Sequence, residues 1–317
     1  MKSAPFILLL LTAASALAQK NQRFYDYQWK QTDVAHARFY SVTEPTDSGW
    51  HRMDYFLHEP SSLQMEGWFE DTASKIGNGK FTYVYPNKQI FSIGYNLHGK
   101  KQGLWLTFHP NGMMADSTVY DNGNQIGTSI SWYATGYISD SSVLQKDGSG
   151  VQVGWFDNGN PSYAGMLSEG RQQHGKWKYW HKNGIVSAIE VYDHGKLQDK
   201  QYFDEKGAAL VDTTTKDRKA AFKGGPKDWL KYLENHLSFP QNYRITNSDL
   251  AVVELAMTVD EDGNVQDAYV YTPFYPAFEK IALDVVRRSP KWTPAISHNR
   301  RVRSTFRQPI VFSQPEQ

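Results

Sequence analysis

The chain reads as a mainly β repeat array followed by a small α+β module, and three observations carry that reading. Glycines recur at a fixed interval through the middle of the chain, aromatic runs and Asn-Gly turns recur in step with them, and the period changes to helical spacing only near the C-terminus. At 317 residues the chain exceeds one ordinary core, and a prior of about 150 residues per domain suggests two folded units.

The repeat is set by Gly79, Gly103, Gly127, Gly150 and Gly175, at intervals of 24, 24, 23 and 25. An aromatic stretch follows each one, as in Gly103-Leu104-Trp105-Leu106-Thr107-Phe108 and Gly175-Lys176-Trp177-Lys178-Tyr179-Trp180. A turn then comes nine residues after the leading glycine in Asn111-Gly112, Thr135-Gly136, Asn158-Gly159 and Asn183-Gly184, with Asn87-Lys88 as a degenerate copy. Asn-Gly between alternating aromatic and polar residues predicts a hairpin, with a type I′ turn in which both residues take positive φ. A second strand such as Val186 to Tyr192 leads to a further glycine turn, at Gly99, Gly123, Gly170 and Gly195. One hairpin is barely stable alone, so neighbours must pair into a long twisted sheet. Ahead of the array, Asp54 to Leu57 and Leu63 to Gly67 read as a divergent opening hairpin that caps it, and Gln201 to Gly207 as a fading sixth copy. The motif G-x-W-x-x-Y/F-x-x-N-G followed by a β segment resembles the MORN family in its longer, antitoxin-type variant. That resemblance implies no single activity.

The expected layout is a signal peptide over 1–18, a β cap over 19–66, repeats over 67–210, a polar aperiodic linker over 211–223 and the last module over 224–314. In that module Gly224-Gly225-Pro226 opens a helix with Trp229, Leu230, Leu233 and Leu237 on one face, and Pro240 lies beyond its end. Leu250 to Asp260 alternates as a strand, turns at Asp262-Gly263, and returns through Val265 to Tyr271. Phe278, Ile281, Ala282, Val285 and Val286 mark a second helix ending by Pro290. The last strand, Arg301 to Phe312, sends Val302, Phe306, Ile310 and Phe312 inward and Arg301, Arg303, Thr305 and Arg307 outward.

This α-β-β-α-β order resembles the TonB C-terminal domain over about residues 221 to 314. Phe239-Pro240, the run Val259 to Val265 and Lys291-Trp292-Thr293-Pro294-Ala295 carry the likeness. In that family the module lies in the periplasm and accepts an extended receptor peptide beside its final strand. The resemblance therefore implies a partner-binding edge at Arg301, Val302, Arg303, Ser304, Thr305, Phe306, Arg307 and Gln308. From Arg287 to Arg307 there are seven basic residues and no acidic one. That cluster is either a solvated face protecting an open edge or an attractor for acidic residues beside a docked peptide.

The start, with Lys2, the run Phe6 to Leu11 and Ala16-Leu17-Ala18, has the form of a secretory signal cut between Ala18 and Gln19. Only about 16 residues there are suitably apolar where spanning needs roughly 20. A retained segment would instead make a membrane anchor, and with it an energy transducer of the TonB type. A proline-rich linker, which that family's transducers use to cross the periplasm, is missing, the 14 prolines being scattered. The lead expectation is thus a periplasmic, non-enzymatic adaptor with a protein partner, in contact with the membrane only if the first segment is retained, and with a structural envelope spacer as a further alternative.

Catalytic and cofactor patterns give no support. With no cysteine there is neither thiolate chemistry nor a disulfide framework. A net charge of +1 offers no reason to expect nucleic acid. Ten histidines form no His-x-His or His-Glu-x-x-His pair, so no metal is expected; His98 and His194 simply precede turn glycines. Asp260, Glu261 and Asp262 lack the further ligands of a calcium loop and read as a tight hairpin. Ser117, Ser139 and Ser168 sit in no nucleophile elbow, and no cofactor is called.

Overall fold

A computed structural model of the chain describes residues 21–57, 62–246 and 250–314. The segment 1–20, with the expected signal peptide and its Ala18/Gln19 cleavage point, lies outside these.

The first two thirds form one antiparallel meander. Its strands are β1 (Asn21–Tyr25), β2 (Gln31–Thr32), β3 (Phe39–Thr46), β4 (Gly49–Phe56), β5 (Leu63–Phe69), β6 (Gly77–Val84), β7 (Ile90–Leu97) and β8 (Lys100–Phe108). They continue as β9 (Met114–Asp121), β10 (Asn124–Trp132), β11 (Ile138–Leu144), β12 (Gly150–Trp155), β13 (Pro161–Ser168), β14 (Gln172–Trp180), β15 (Val186–Asp193) and β16 (Lys196–Tyr202). All 16 belong to one sheet, in sequence order apart from β1, which pairs with both β2 and β3. The hairpin of β4 and β5 matches the expected cap, but it does not open the sheet, because β1 to β3 extend the ladder back to Asn21. Those first strands carry no repeat glycine, which is why the period does not reveal them.

The two ends of the sheet use different turns. Gly112 and Gly184 have φ of 83° and 87° in hairpin turns, as expected, but Asn111 and Asn183 keep negative φ. The Gly112 N–H bonds the His109 carbonyl, and the His109 N–H bonds Met113. This is a type I turn closed by a left-handed glycine, the usual three-residue loop, and not the expected type I′ pair. The change frees the Asn side chain. Its Oδ1 caps its own turn while Nδ2 donates to the next one along: Asn87 to Pro110 at 2.7 Å, and Asn111 to Ala134, Asn158 to Lys182 and Asn183 to Glu205 at 2.9 Å each. Tyr85, His109, Tyr133 and His181 form a parallel ladder to the carbonyls of Phe108, Trp132, Trp155 and Phe203. True type I′ pairs sit at the opposite end, where His98-Gly99, Asn122-Gly123 and His194-Gly195 all have positive φ. Between β13 and β14 a 3₁₀ turn, Glu169–Arg171, replaces that pair.

Large rings pack against glycines on the neighbouring strand. A Cβ on Gly94 or on Gly165 would stand 2.1 Å from the indole of Trp105 or Trp177. Each indole N–H then reaches a carbonyl of the same neighbouring strand, Tyr95 at 3.0 Å and Met166 at 2.9 Å. Rings buried this way build two clusters, one of Met65, Phe69, Phe81 and Trp105, the other including Trp177, Tyr179, Tyr192 and Tyr202.

The C-terminal module has α1 (Pro226–His236), β17 (Leu250–Val259), β18 (Val265–Thr272), α2 (Pro276–Arg287), β19 (Ala295–Ser297), β20 (Arg300–Val302) and β21 (Ser304–Ser313). The sheet order is β18-β17-β21, with β19 and β20 as a separate hairpin. Trp229 and Leu233 of α1, Phe278 and Val286 of α2, and Val253, Leu255, Ile310 and Phe312 of the sheet share one core. Leu230 does not join it and is exposed. The expected last strand is broken after Val302, because His298 and Asn299, both at positive φ, turn the chain so that Arg300–Val302 pairs back onto β19. The second half of the expected linker is also stitched down: Arg218 pairs with Ile296 and Ala221 with Thr293, and Phe222 enters the core.

Among the described residues no helix is long and apolar enough to cross a membrane.

Candidate functional site

The site is built where β20 and β21 leave the C-terminal core. β21 ends its sheet, and among the described residues no strand pairs with its outer side. In an antiparallel ladder the N–H and C=O of alternate residues point to opposite sides. Pro309 has no N–H and stands opposite Glu254. Proline is tolerated in a strand where its nitrogen faces away from the ladder. By the same parity, Thr305, Arg307 and Val311 direct their main-chain groups outward, while Phe306, Gln308 and Ile310 bond β17. Thr305, Arg307, Pro309 and Val311 are also exposed.

The residues named from sequence divide in two. Ser304 to Gln308 lie on β21. Ser304 stands opposite Val259 and Gln308 opposite Leu255. Thr305 Oγ1 meets Thr258 Oγ1 at 2.8 Å. The Phe306 ring packs on Trp292 with centroids 5.6 Å apart. Arg307 lies over Tyr271, its guanidinium carbon 3.5 Å from the ring centroid, and donates to that hydroxyl. Arg301, Val302 and Arg303 instead belong to the broken stretch that faces the repeat array. Val302 pairs with Ala295. Arg301 reaches Glu205 at 2.8 Å and Asp262 at 3.7 Å. Arg303 reaches Asp157 at 2.9 Å and covers the Tyr133 ring at 4.8 Å. Burial pushes the Tyr133 phenol up to about 12, with the Arg303 charge acting the other way.

The array supplies partners far away in the chain, which no local pattern connects to the module. Asp157 also holds Lys182 at 2.8 Å, and Lys182 reaches the buried Glu261 at 3.0 Å, so Arg303, Asp157, Lys182 and Glu261 form a chain of alternating charge. Burial lowers the Lys182 pKa, but bonds to Asp157 and Glu261 outweigh it, and the net shift is upward. At the hairpin tip Asn299 Nδ2 donates to the Ser187 and Phe203 carbonyls at 3.0 and 2.9 Å. His298 stacks on Tyr179 and contacts Glu190. Farther along, Tyr85 of the array meets Tyr269 of β18 edge to face at 5.3 Å.

Asp260 behaves as a turn residue, accepting the N–H groups of Asp262 and Asn264 and the side-chain amides of Asn264 and Gln266. Burial raises its pKa, but those donors outweigh it and hold the carboxyl below its usual value. Among the described residues one grouping of potential metal ligands forms, His174, Asp193 and His194, with ligand atoms within 4.8 Å of one another. Sequence spacing concealed it, because His174 meets the other two only across the pairing of β14 with β15. Asp193 Oδ1 already lies 2.7 Å from the His194 ring nitrogen, a hydrogen bond between two exposed side chains.

Comparison with known proteins agrees with the fold of the module. Residues 235–313 match the family model described as the Gram-negative bacterial TonB protein C-terminal. No curated protein matches the chain. The likeness of the array to MORN repeats rests on its sequence motif alone, and the match to the TonB C-terminal model is confined to the last quarter of the chain.

Proposed function

We propose that this chain is an exported, non-enzymatic binding protein of the cell envelope, in which the C-terminal module captures an extended peptide of another envelope protein along the outer edge of β21. One observation carries the reading. Ser304–Ser313 is a ten-residue strand that closes its sheet on one side only, within the segment that matches the TonB C-terminal family. An added strand satisfies the outward main-chain groups at Thr305, Arg307 and Val311, which is the physics of β-augmentation. Arg301 and Arg303 are already engaged with the array, so the recognition falls to the main chain of β21 and to Arg307. The array acts as the platform that fixes the module's orientation, as an adaptor requires. Retention of the first segment would make the same module part of a membrane-anchored transducer, and mass spectrometry of the amino terminus after fractionation separates the two.

The test is a titration of extended peptides into the isotopically labelled full chain. Docking on β21 predicts amide shifts concentrated at Thr305, Arg307 and Val311. Shifts confined to the helices, or none with any envelope-receptor peptide, would remove the reading.

A further inference from the structure

A cleft of about 470 Å³ opens between the array and the β19–β20 hairpin, and its walls include Tyr133, Phe156, Tyr163 and Tyr179 from the array with His298 and Arg300 from the hairpin. Arg300 is 5% exposed. Its guanidinium carbon lies 5.9 Å from the Phe156 and Tyr163 ring centroids and 5.3 Å from that of Tyr179. Its Nε has no hydrogen-bond partner. Among the described residues no carboxylate lies within ion-pair distance of it; the buried Glu261, on the same wall, acts on it only from farther away, and most neighbouring charges have closer partners. Arg303 has Asp157, Lys182 has Glu261, and the Glu190 carboxylate faces His298. The exposed Arg171, also on the wall, donates to a neutral amide, that of Gln125.

A desolvated guanidinium with no ion-pair partner is costly. Cation–π contact with three rings offsets part of that cost. What remains is a fixed positive charge with an unspent Nε donor beside an aromatic-walled space, which is the arrangement of an anion-binding pocket. The rest of the lining selects the body of the ligand. Ser139, Gln152, Ser162 and Gln173 add hydroxyls and amides among the rings, a mixture unsuited to an acyl chain and suited to a hydroxylated ring with one apolar C–H face. We infer that this cleft binds a carboxylate-bearing sugar, with the Arg300 guanidinium on the carboxylate and the amide and hydroxyl side chains on the ring hydroxyls. This site is separate from the β21 edge and does not depend on peptide docking.

Calorimetric titration of the full chain with glucuronate, glucose and inorganic phosphate tests it. Glucuronate should bind saturably. Glucose, lacking the carboxylate, should bind roughly 10- to 100-fold more weakly, the range expected for losing charge-assisted hydrogen bonds. Arg300→Gln should weaken glucuronate to the level of glucose. Because that change could also loosen the hairpin, Ser139→Phe provides a second variant: it fills the cleft, removes no hydrogen bond of the fold, and should abolish binding with an unchanged melting temperature. Equal binding of glucose and glucuronate, phosphate binding as tight as glucuronate, glucuronate binding that survives Ser139→Phe, or no binding of glucuronate at roughly 10 mM would each overturn the assignment.

Discussion

His298 lies flat on Tyr179, with ring centroids 3.8 Å apart and planes 6° from parallel, while its Nδ1 meets the buried Glu190 carboxylate at 2.8 Å. A carboxylate only accepts, so Nδ1 carries the hydrogen in this pair. The tip of the C-terminal hairpin is thereby held by a stack on strand β14 and a charge-assisted bond to strand β15 of the array at once.

That pair predicts acid sensitivity of the interface. Burial raises the Glu190 pKa, but bonds from His298 and Tyr192 outweigh it and hold the carboxyl below its ordinary value of 4.5. A carboxyl whose folded pKa is depressed contributes fully above its unfolded value and loses that contribution as pH falls through the folded one. Stability should therefore drop below about pH 4.5 in excess of the loss shown by Glu190→Gln, which keeps the shape and cannot titrate. Urea unfolding of both proteins from pH 6 to pH 3 measures the difference. Parallel curves would show that Glu190 contributes nothing to the acid response.

Replacing Gly165 by Ala should destabilise the array by about 1–3 kcal/mol, the usual range for overpacking. The glycine is there for space, since its φ is not positive and the added Cβ would strike the Trp177 indole at 2.1 Å. Gly127→Ala is the informative contrast, because there a Cβ meets nothing within 4 Å and only the φ of 65° is strained. A cycle with Trp177→Leu separates them: the smaller side chain should relieve Gly165→Ala and leave the cost of Gly127→Ala unchanged. Chemical denaturation of the three single variants, the two doubles with Trp177→Leu and the parent reads both terms.

How far these features could be read in advance depended on whether they were local. The glycine period and the Asn-Gly spacing are local, and they gave the hairpins, the long sheet and the positive φ at Gly112 and Gly184. The turn type was misjudged because Asn-Gly is compatible with two loop lengths, and the choice depends on a third residue, His109, closing the loop through Met113. In the module, helical spacing located α1 and α2, yet the break at Val302 escaped notice because His298-Asn299 has no glycine to mark a turn. The seven basic residues were visible as a cluster, but their partners were not. Asp157 and Lys182 are separated from Arg303 by well over a hundred positions, and no pattern along a single strand connects them. The Arg300 cage is hidden for the same reason, being assembled from Phe156 just past β12, Tyr163 of β13 and Tyr179 of β14 around the first residue of β20.

Removing the carboxylate that joins two cations should loosen the module from the array. Asp157→Ala deprives both Arg303 and Lys182 of their shortest contacts, 2.9 and 2.8 Å. The expected cost is about 1–3 kcal/mol, the range for losing hydrogen bonds to charged groups in a partly buried setting. Hydrogen exchange should quicken in β19 and β20 before it does in β12 to β14, and limited proteolysis should begin in the 211–223 segment. Uniform faster exchange across the whole sheet would instead mean that Asp157 serves the array's own fold.

Proline substitutions along β21 distinguish the docking edge from the structural edge. Thr305 and Phe306 are neighbours in one strand, opposite Thr258 and Met257, but parity with Pro309 turns their main-chain groups in opposite directions. Thr305→Pro removes an outward donor and leaves the main-chain bonds to β17 in place, losing only the side-chain contact with Thr258, so the fold should persist while peptide affinity falls by roughly 5- to 10-fold, as for one lost main-chain hydrogen bond. Phe306→Pro removes a donor to β17 and takes a large ring out of the core, and it should cost about 3 kcal/mol or more. Arg307→Ala retains the main-chain donor and loses the side-chain charge, so it should weaken only acidic peptides and make their binding less dependent on salt. Calorimetry on the full chain, with melting curves for each variant, reads all three. If Thr305→Pro folds normally and still binds every peptide with parental affinity, the outer edge of β21 is not where the partner adds.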